Sequence, residues 1–301
     1  MAIRATPGRE ALLRPRLAQV TRLLQKAERG DVKAVHQARV ASRRLRELLP
    51  ILELDAAISR KLGKRLRKVT RALGPVREQD VLIGLARDWD DAAPRERRAF
   101  ARVSDAVQSE RSHPEAREAT RSASKTLARA ARKLDRAGRD LGRIDETSSR
   151  RRAWQWALEA RVARRALAFD EAVKAAGAVY LPERLHRVRV ALKKLRYAVE
   201  LLVESRGGAN GGLNSLKRGQ DTLGLLHDLE MMIARARGVQ GKLDVNERTA
   251  RKDLDALIDL LERRCRSVHA RYLGMRDTLL EVSTRFSATA HVPRAARRRA
   301  G

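Results

Sequence analysis

The chain has 301 residues, with 67 Lys and Arg side chains against 37 Asp and Glu side chains, and its formal net charge is +30. A protein tolerates such an excess when the charge is spread over a large surface or meets a polyanion. We therefore expect nucleic acid, an anionic membrane or a polyphosphate-like chain as the partner. Aromatic residues make up only 3%, which argues against readers of single-stranded nucleic acid, because those proteins stack bases on aromatic side chains.

Other features of the composition exclude further classes. Hydrophobic residues make up 43%, which is enough to bury a core and argues against global disorder. The single cysteine, Cys265, excludes an intramolecular disulfide framework and fits a reducing compartment. No apolar run reaches the roughly 18 residues of a membrane helix, and residues 1–7 lack the apolar segment of a signal peptide. We expect a soluble cytoplasmic protein that does not act at a membrane.

The periodicity of almost every segment is helical. Ala, Leu, Arg, Glu and Lys dominate and alternating β-branched residues are scarce, which predicts an all-α protein. Asp31 is the expected N-cap of the second helix, Gly74-Pro75 is expected to separate two helices, and the arginine-rich residues 292–301 predict a disordered basic tail. The predicted helices in chain order are 10–29, 31–54, 56–73, 76–90, 94–111, 115–144, 150–177, 181–205, 212–224, 226–239 and 246–285.

The two halves of the chain resemble each other at an offset of 150 residues. Residues 36–46 read His-Gln-Ala-Arg-Val-Ala-Ser-Arg-Arg-Leu-Arg, and residues 186–196 read His-Arg-Val-Arg-Val-Ala-Leu-Lys-Lys-Leu-Arg, with six identities in eleven positions. The same register continues without a gap into the following segment. We interpret the chain as a tandem duplication of a helical unit, with one repeat over about residues 10–145 and the other over about residues 150–286.

Each copy of this motif forms a basic helix face opposite an apolar one, at about 100° per residue. Neither residues 32–46 nor residues 184–199 contain Asp or Glu. Like charges at i, i+4 destabilise a helix, so we expect an anion outside these helices to compensate them; the alternative is an ordinary solvated face. The side chains that share each face are His36, Arg39, Arg43 and Arg46 in the first copy and His186, Arg189, Lys193 and Arg196 in the second.

These residue types suit phosphate. Arginine presents a planar fork of donors to phosphate oxygens, and lysine presents a mobile point charge. Histidine adds a donor whose pKa rises next to anions. A spacing of one helical turn, about 5.4 Å, suits a chain of closely spaced phosphates. A further basic face, which is either an extension of the site or ordinary surface, comprises Lys61, Lys64, Lys68 and Arg71, with Arg218 on the corresponding segment of the second half.

The paired motif His-x-x-Arg-Val-x-x-[Arg/Lys]-[Arg/Lys]-Leu-Arg resembles that of the CHAD family, the conserved histidine α-helical domain. Residues 73–80 and 223–230 look like the family's second recurring block, and the resemblance extends over about residues 10–285. It implies two four-helix bundles related by pseudo-two-fold symmetry, whose basic faces line a groove or pore that binds inorganic polyphosphate. It also implies association with polyphosphate granules and with proteins on them. We expect a stand-alone CHAD domain over residues 1–291.

The resemblance also implies which positions bind the anion. Arg44 and Lys194 stand off the main basic face, and Asp221 stands where the first repeat has Arg71, so we expect the two sides of the groove to differ. The implied anion-binding positions are His36, Arg39, Arg43, Arg44, Arg46, His186, Arg189, Lys193, Lys194 and Arg196.

The sequence carries no motif for phosphoanhydride cleavage, which usually requires metal-holding carboxylates or an activated nucleophile. Glu183 and His186 have the spacing of a metal-binding pair, but Lys33 replaces the glutamate in the first repeat, so we expect no metal and no cofactor. His227-Asp228 is either a hydrogen-bonded structural pair or a surface turn. We expect a non-catalytic polyphosphate-binding protein. The alternatives are a nonspecific RNA- or DNA-backbone binder, a metal-dependent polyphosphate hydrolase and a scaffold for acidic proteins.

Overall fold

The computed structural model describes residues 8–28, 31–87, 89, 92–144, 148–207 and 212–288. In these ranges the regular structure is entirely helical, which confirms the all-α prediction, and no helix has both the length and the apolar character of a membrane span. The tail predicted over residues 292–301 lies outside the described residues. The helices are α1 (Arg9–Glu28), α2 (Val32–Leu48), α3 (Ala56–Arg87), α4 (Pro94–Ser112), α5 (Pro114–Ile144), α6 (Ser148–Ala176), α7 (Pro182–Arg206), α8 (Leu213–Gln240) and α9 (Arg248–Ala288).

Helix α2 begins and ends at local sequence signals. The Asp31 carboxylate accepts a hydrogen bond from the backbone N–H of Ala34 at 3.1 Å, which confirms Asp31 as the N-cap. The helix was expected to reach residue 54, but it changes at Leu49–Ile51 into one turn of 3-10 helix. Pro50 explains this end, because it has no backbone N–H and its ring clashes with the preceding turn of an α-helix.

Two predicted helix breaks are wrong. Helix α3 continues through Gly74-Pro75, and α8 continues through Gly224. Leu73 and Val76, on either side of the proline, are both buried in the core. Burial of such apolar side chains on one continuous face offsets the roughly 3 kcal/mol that an interior proline costs a helix. As a consequence, each copy of the second recurring block lies within one continuous helix, α3 or α8, rather than across a break between two helices.

The helices pack in two groups of four. Helices α1, α2, α3 and α5 pack against one another, and so do α6, α7, α8 and α9. Helix α4 lies across both groups, with contacts to α3 and α9. The two motif helices, α2 and α7, contact each other where the groups meet. The origin of the two groups in a tandem duplication stays a sequence interpretation.

Ion pairs join the two groups. On α4, Arg98 donates two hydrogen bonds to Asp253 of α9, at 2.8 and 2.9 Å. On α2, the buried Glu47 carboxylate accepts hydrogen bonds from Arg161 and Arg165 of α6, at 2.6 to 3.1 Å. A carboxylate buried to this degree is stable only when cations satisfy its oxygens. These contacts therefore hold α2 in a defined position relative to α6.

The two tryptophans of α6 provide a test of this packing. Trp154 is fully buried, whereas Trp156 is 65% exposed. We expect Trp154→Ala to lower the free energy of unfolding by about 3–5 kcal/mol, because it opens a cavity in the core. The matched variant Trp156→Ala should change it by less than about 0.5 kcal/mol. Urea unfolding followed by circular dichroism measures both, and equal losses would contradict this orientation of α6.

Candidate functional site

A cavity of about 740 Å³ lies where α2 and α3 face α7 and α8. Seven of the fifteen predicted site residues line this one cavity, although their two helices are about 150 residues apart in the sequence. They are His36, Arg39 and Arg43 from α2, and His186, Arg189, Lys193 and Arg196 from α7.

Helices α3 and α8 add lining residues that the sequence analysis did not include in the site. Arg77 and Glu78 come from α3, and Asp221, His227 and Asp228 come from α8. The internal repeat could have identified four of these residues. At the offset of 150, Arg77 corresponds to His227 and Glu78 corresponds to Asp228. The pair His227-Asp228, interpreted above as structural or as a surface turn, thus belongs to the cavity wall.

The cavity carries an excess of positive charge. The basic faces of α2 and α7 contain no acidic residue that would balance their positive charge. The carboxylates of Glu78 and Asp228 supply part of the missing negative charge. Three carboxylates do not balance six basic side chains, so the wall retains net positive charge. The basic side chains are Arg39, Arg43, Arg77, Arg189, Lys193 and Arg196, and the acidic ones are Glu78, Asp221 and Asp228.

Each motif histidine contacts the residue 41 positions later in the chain. Arg77 Nε donates a hydrogen bond to His36 Nδ1 at 2.5 Å. At the corresponding positions of the second half, the rings of His186 and His227 lie 5.0 Å apart between centroids, with an interplanar angle of 53°. Both histidines are therefore held at the cavity by a residue of the second recurring block.

Neutral groups orient two of the arginines. Arg39 Nε donates a hydrogen bond to the carbonyl oxygen of Thr70 at 3.3 Å, and Arg196 Nε donates to the side chain of Gln220 at 2.8 Å. Thr70 and Gln220 occupy corresponding positions of the two halves. The Arg196 guanidinium also lies 4.8 Å from the ring centroid of Tyr197, a cation–π distance. The contact with Thr70 fixes the Arg39 guanidinium without removing its charge, whereas Arg196 also forms an ion pair with Glu200.

The crowding of cations affects their own ionisation. Burial, followed by the charges of Arg189, Arg43 and Arg39, lowers the pKa of Lys193 to about 6. Burial and neighbouring basic side chains also lower the pKa of His36 to about 4, although part of its ring is exposed. In the free protein the cavity thus disfavours additional positive charge. A bound anion favours the protonated forms and acts in the opposite direction.

Burial and the neighbouring cations also affect the pKa of the Asp228 carboxylate. Burial raises the pKa of Asp228, and the charges of Arg189 and Arg77 oppose that rise. The neighbouring imidazole of His227 has its pKa lowered to about 3, mainly by burial and then by Arg189. Asp228 therefore acts as an internal counter-ion that offsets only part of the charge around it.

The other predicted site residues lie outside the cavity lining. Arg44 forms an ion pair with Glu200 at 3.2 Å and lies 5.9 Å from the ring centroid of Tyr197. Arg46 and Lys194 are half-buried beside the arginines of α6. The remaining predicted residues are exposed on α3 and α8, at Lys61, Lys64, Lys68, Arg71 and Arg218.

Groups suited to metal binding or nucleophilic chemistry are scarce in the part of the chain that the structure describes. There, no three His, Cys, Asp or Glu side chains converge on a point that could hold a metal ion. The thiol of Cys265 is buried, and burial raises its pKa. The guanidinium, ammonium and imidazole groups that line the cavity are suited to binding an anion.

Comparisons with known proteins agree with this architecture. The CHAD domain of the plant Ricinus communis aligns with a TM-score of 0.58 and 21% identity, over 90% of this chain and 94% of that one. PptA from Streptomyces chartreusis aligns with a TM-score of 0.53 and 16% identity, over 92% of this chain and 95% of that one. At these identities the likeness shows the fold alone. No curated protein matches the chain.

The family follows from the sequence. The family model for the CHAD domain matches residues 11–237, which is more than half of the chain. This range includes both copies of the histidine motif and the helices that form the cavity. The chain therefore belongs to the CHAD domain family.

Proposed function

We propose that the protein binds inorganic polyphosphate, without cleaving it, in the cavity between α2, α3, α7 and α8. The observation that carries this proposal is the meeting of the acid-free faces of the two motif helices at a cavity with six basic side chains and only three carboxylates. Membership of the CHAD family supports the same ligand, since the family is linked to polyphosphate. The proposal includes a cytoplasmic location on polyphosphate granules.

The binding energy in this proposal is mainly electrostatic. The basic side chains are already crowded and partly dehydrated in the free protein, as the lowered pKa of Lys193 indicates. A phosphate chain places negative charge among them and offsets their mutual repulsion. Affinity should fall steeply with salt, as it does for single-stranded nucleic acids, where each phosphate contact adds about 0.7 to the log–log slope.

A nonspecific nucleic-acid binder is the second candidate. Its backbone would meet the same cations, because phosphate contacts carry no sequence information. Among the described residues of the lining, the one Phe, Tyr or Trp side chain is Tyr197, and it lies against Arg196. A polyphosphate chain is also slimmer than RNA, since it has no sugar or base to accommodate in a cavity of about 740 Å³. These features favour polyphosphate.

The first prediction concerns Arg39 and Arg189, which occupy corresponding positions of the two motifs. Arg39→Gln with Arg189→Gln should weaken polyphosphate binding roughly 100-fold, because two charge-assisted contacts of about 1.5 kcal/mol each are lost. The matched control is Arg129→Gln with Lys133→Gln, an equal loss of charge at exposed positions of α5. Calorimetry with long polyphosphate measures both affinities. An equal loss in the control would contradict binding in the cavity. Equal competition by RNA at the same phosphate concentration would contradict polyphosphate as the preferred ligand.

The second prediction concerns the stability of the free protein. The pKa of Lys193 is about 6 in the folded state against an ordinary value of 10.5, so between these pH values the unfolded chain binds more protons. The free energy of unfolding of the parent protein therefore rises with pH in this window. Lys193→Met removes that dependence and should raise Tm at pH 7, by about 2–4 °C for each kcal/mol regained.

Melting curves between pH 6 and pH 9, with and without polyphosphate, measure this effect. The variant should also gain less from added polyphosphate than the parent protein does. A lower Tm in the variant, or an unchanged pH dependence, would show that Lys193 is not crowded by its neighbours in the way described.

The third prediction concerns catalysis. Phosphoanhydride cleavage generally needs metal ions held by carboxylates, or an activated nucleophile. Glu78 and Asp228 lie among basic side chains, which compete with a metal ion for their oxygens. We expect no phosphate release above the blank when the protein is incubated with polyphosphate and Mg²⁺ or Mn²⁺. Release that disappears in Asp228→Asn would identify a hydrolase instead.

A further inference from the structure

The outer side of helix α6 is apolar for a protein of this charge. Over residues 121–140, helix α5 exposes ten side chains, and nine of them are charged. Over residues 153–175, α6 exposes nine side chains, and six of them are apolar. A helix that is apolar on every side is normally buried, yet this side of α6 faces water. Such a surface is expected to be covered by a partner.

We define these nine exposed residues as the outer face of α6. At about 100° per residue they occupy an arc of about 120°, with Trp156 and Lys174 at one border and Ala168 at the other. Trp156 is 65% exposed and Leu167 is 50% exposed. The outer face comprises Ala153, Trp156, Ala160, Arg164, Leu167, Ala168, Glu171, Lys174 and Ala175.

Two opposite charges lie along the middle of the outer face. Arg164 and Glu171 are seven residues apart, a rise of about 10.5 Å, so they do not pair with each other. In the described part of the chain, the ion pairs of α6 are formed instead by Glu159, Arg161 and Arg165. The charges of Arg164 and Glu171 are therefore available to a partner.

The order of these residues is symmetric about the middle of the face. If a second copy of α6 packs antiparallel on the first, with a two-fold axis between Leu167 and Ala168, Arg164 lies opposite Glu171 of the second copy. The axis repeats every contact, so Glu171 also lies opposite Arg164 of the second copy. Two ion pairs then form around an apolar centre, to which both copies contribute Leu167 and Ala168.

The ends of the outer face match in the same register. Ala160 lies opposite Ala175 of the second copy, and such small side chains let two helices approach closely. Trp156 lies beside Val179 of the second copy, which follows the end of α6 and is 68% exposed. Over about 28 Å, from Trp156 to Ala175, the register thus places apolar side chains opposite apolar ones and the cation opposite the anion.

We infer that the protein forms a homodimer in which the outer face of α6 packs antiparallel on the outer face of α6 of a second copy. This inference does not rest on the proposed function, and α6 contributes none of the described residues that line the cavity. A contact made by one helix face is smaller than the interface of a permanent dimer, so the dimer is weak and reversible.

A second copy fits the outer face better than an acidic partner does. An acidic partner is matched by a surface with one sign of charge, such as the exposed arginines of α5. The middle of the outer face instead carries opposite charges at symmetric positions. The net charge of +30 on each copy opposes association at long range. Salt weakens that repulsion, because the Debye length is about 8 Å at about 0.15 M.

An exchange of charges tests the register. Arg164→Glu brings two carboxylates together at both ion pairs, and Glu171→Arg brings two guanidinium groups together there. Arg164→Glu combined with Glu171→Arg restores opposite charges. A mixture of the two single variants restores them as well, because a copy with two acidic residues then meets a copy with two basic ones. The matched control is Arg129→Glu, a reversal at an exposed position of α5.

Sedimentation velocity at about 0.15 M salt, at protein concentrations up to about 1 mM, measures the Kd of the dimer. We expect a parent dimer whose Kd rises roughly tenfold or more in each single variant, because two ion pairs become repulsive. The combined variant, the mixture and the control should match the parent protein. Net charge alone predicts opposite effects of the two single variants, since one lowers it and the other raises it. Circular dichroism and Tm show that each variant folds.

Truncation of Trp156 tests the apolar part of the interface. Trp156→Ala should raise the Kd of the dimer roughly 30-fold, the loss typical of a tryptophan at the centre of a contact. The matched control is Ile58→Ala, which truncates a side chain on α3 that is 50% exposed. It should leave the Kd unchanged.

Three results would overturn the inference. The first is a parent protein that stays monomeric over the whole concentration range, which would leave the outer face to another protein or to another segment of the chain. The second is a dimer with the same Kd in both single charge variants. The third is a weakening that neither the combined variant nor the mixture reverses. Polyphosphate binding is measured separately and bears only on the proposed function.

Discussion

The repulsion between the basic faces of α2 and α7 is the constraint on which the rest of the structure depends. Two helix faces without carboxylates meet at one cavity, and burial increases the energy of every uncompensated charge there. The opposite faces of the same helices hold them in place, because Leu45 and Leu195 are almost completely buried in the two helix groups. Apolar packing thus offsets an electrostatic cost that is concentrated at the site. The result is a set of cations positioned before any ligand arrives.

Carboxylates from neighbouring helices and from the ends of the motif helices themselves determine how much of that charge remains. Asp228 and Glu78 reach the cavity from α8 and α3 and neutralise it in part. Glu47 and Glu200 act at the two flanks, but Glu47 is engaged by arginines of α6, whereas Glu200 pairs the motif residues themselves. Approximate sequence symmetry therefore produces an asymmetric electrostatic field.

Several elements could be predicted because their causes are local. The N-cap at Asp31 depends on one side chain and the next few backbone N–H groups. The predicted break at Pro75 failed because apolar residues on both sides of the proline pack into one core, which no local propensity describes. The predicted breaks also left the orientation of Arg77 and His227 relative to the motif helices undetermined, because a helix that restarts after a break can take another direction.

The sequence by itself determined the helical class, the family and the pairing of histidine with basic residues on one face, because a period of 3.6 residues places such side chains together whatever surrounds them. Tertiary structure alone decided which of them face a common cavity. Arg196 lines it and its counterpart Arg46 does not, although their motifs are alike. Their neighbours differ, because Arg46 lies near Arg165 of α6, whereas Arg196 donates a hydrogen bond to Gln220 of α8. These neighbours come from helices outside the two motifs, so neither motif encodes the difference.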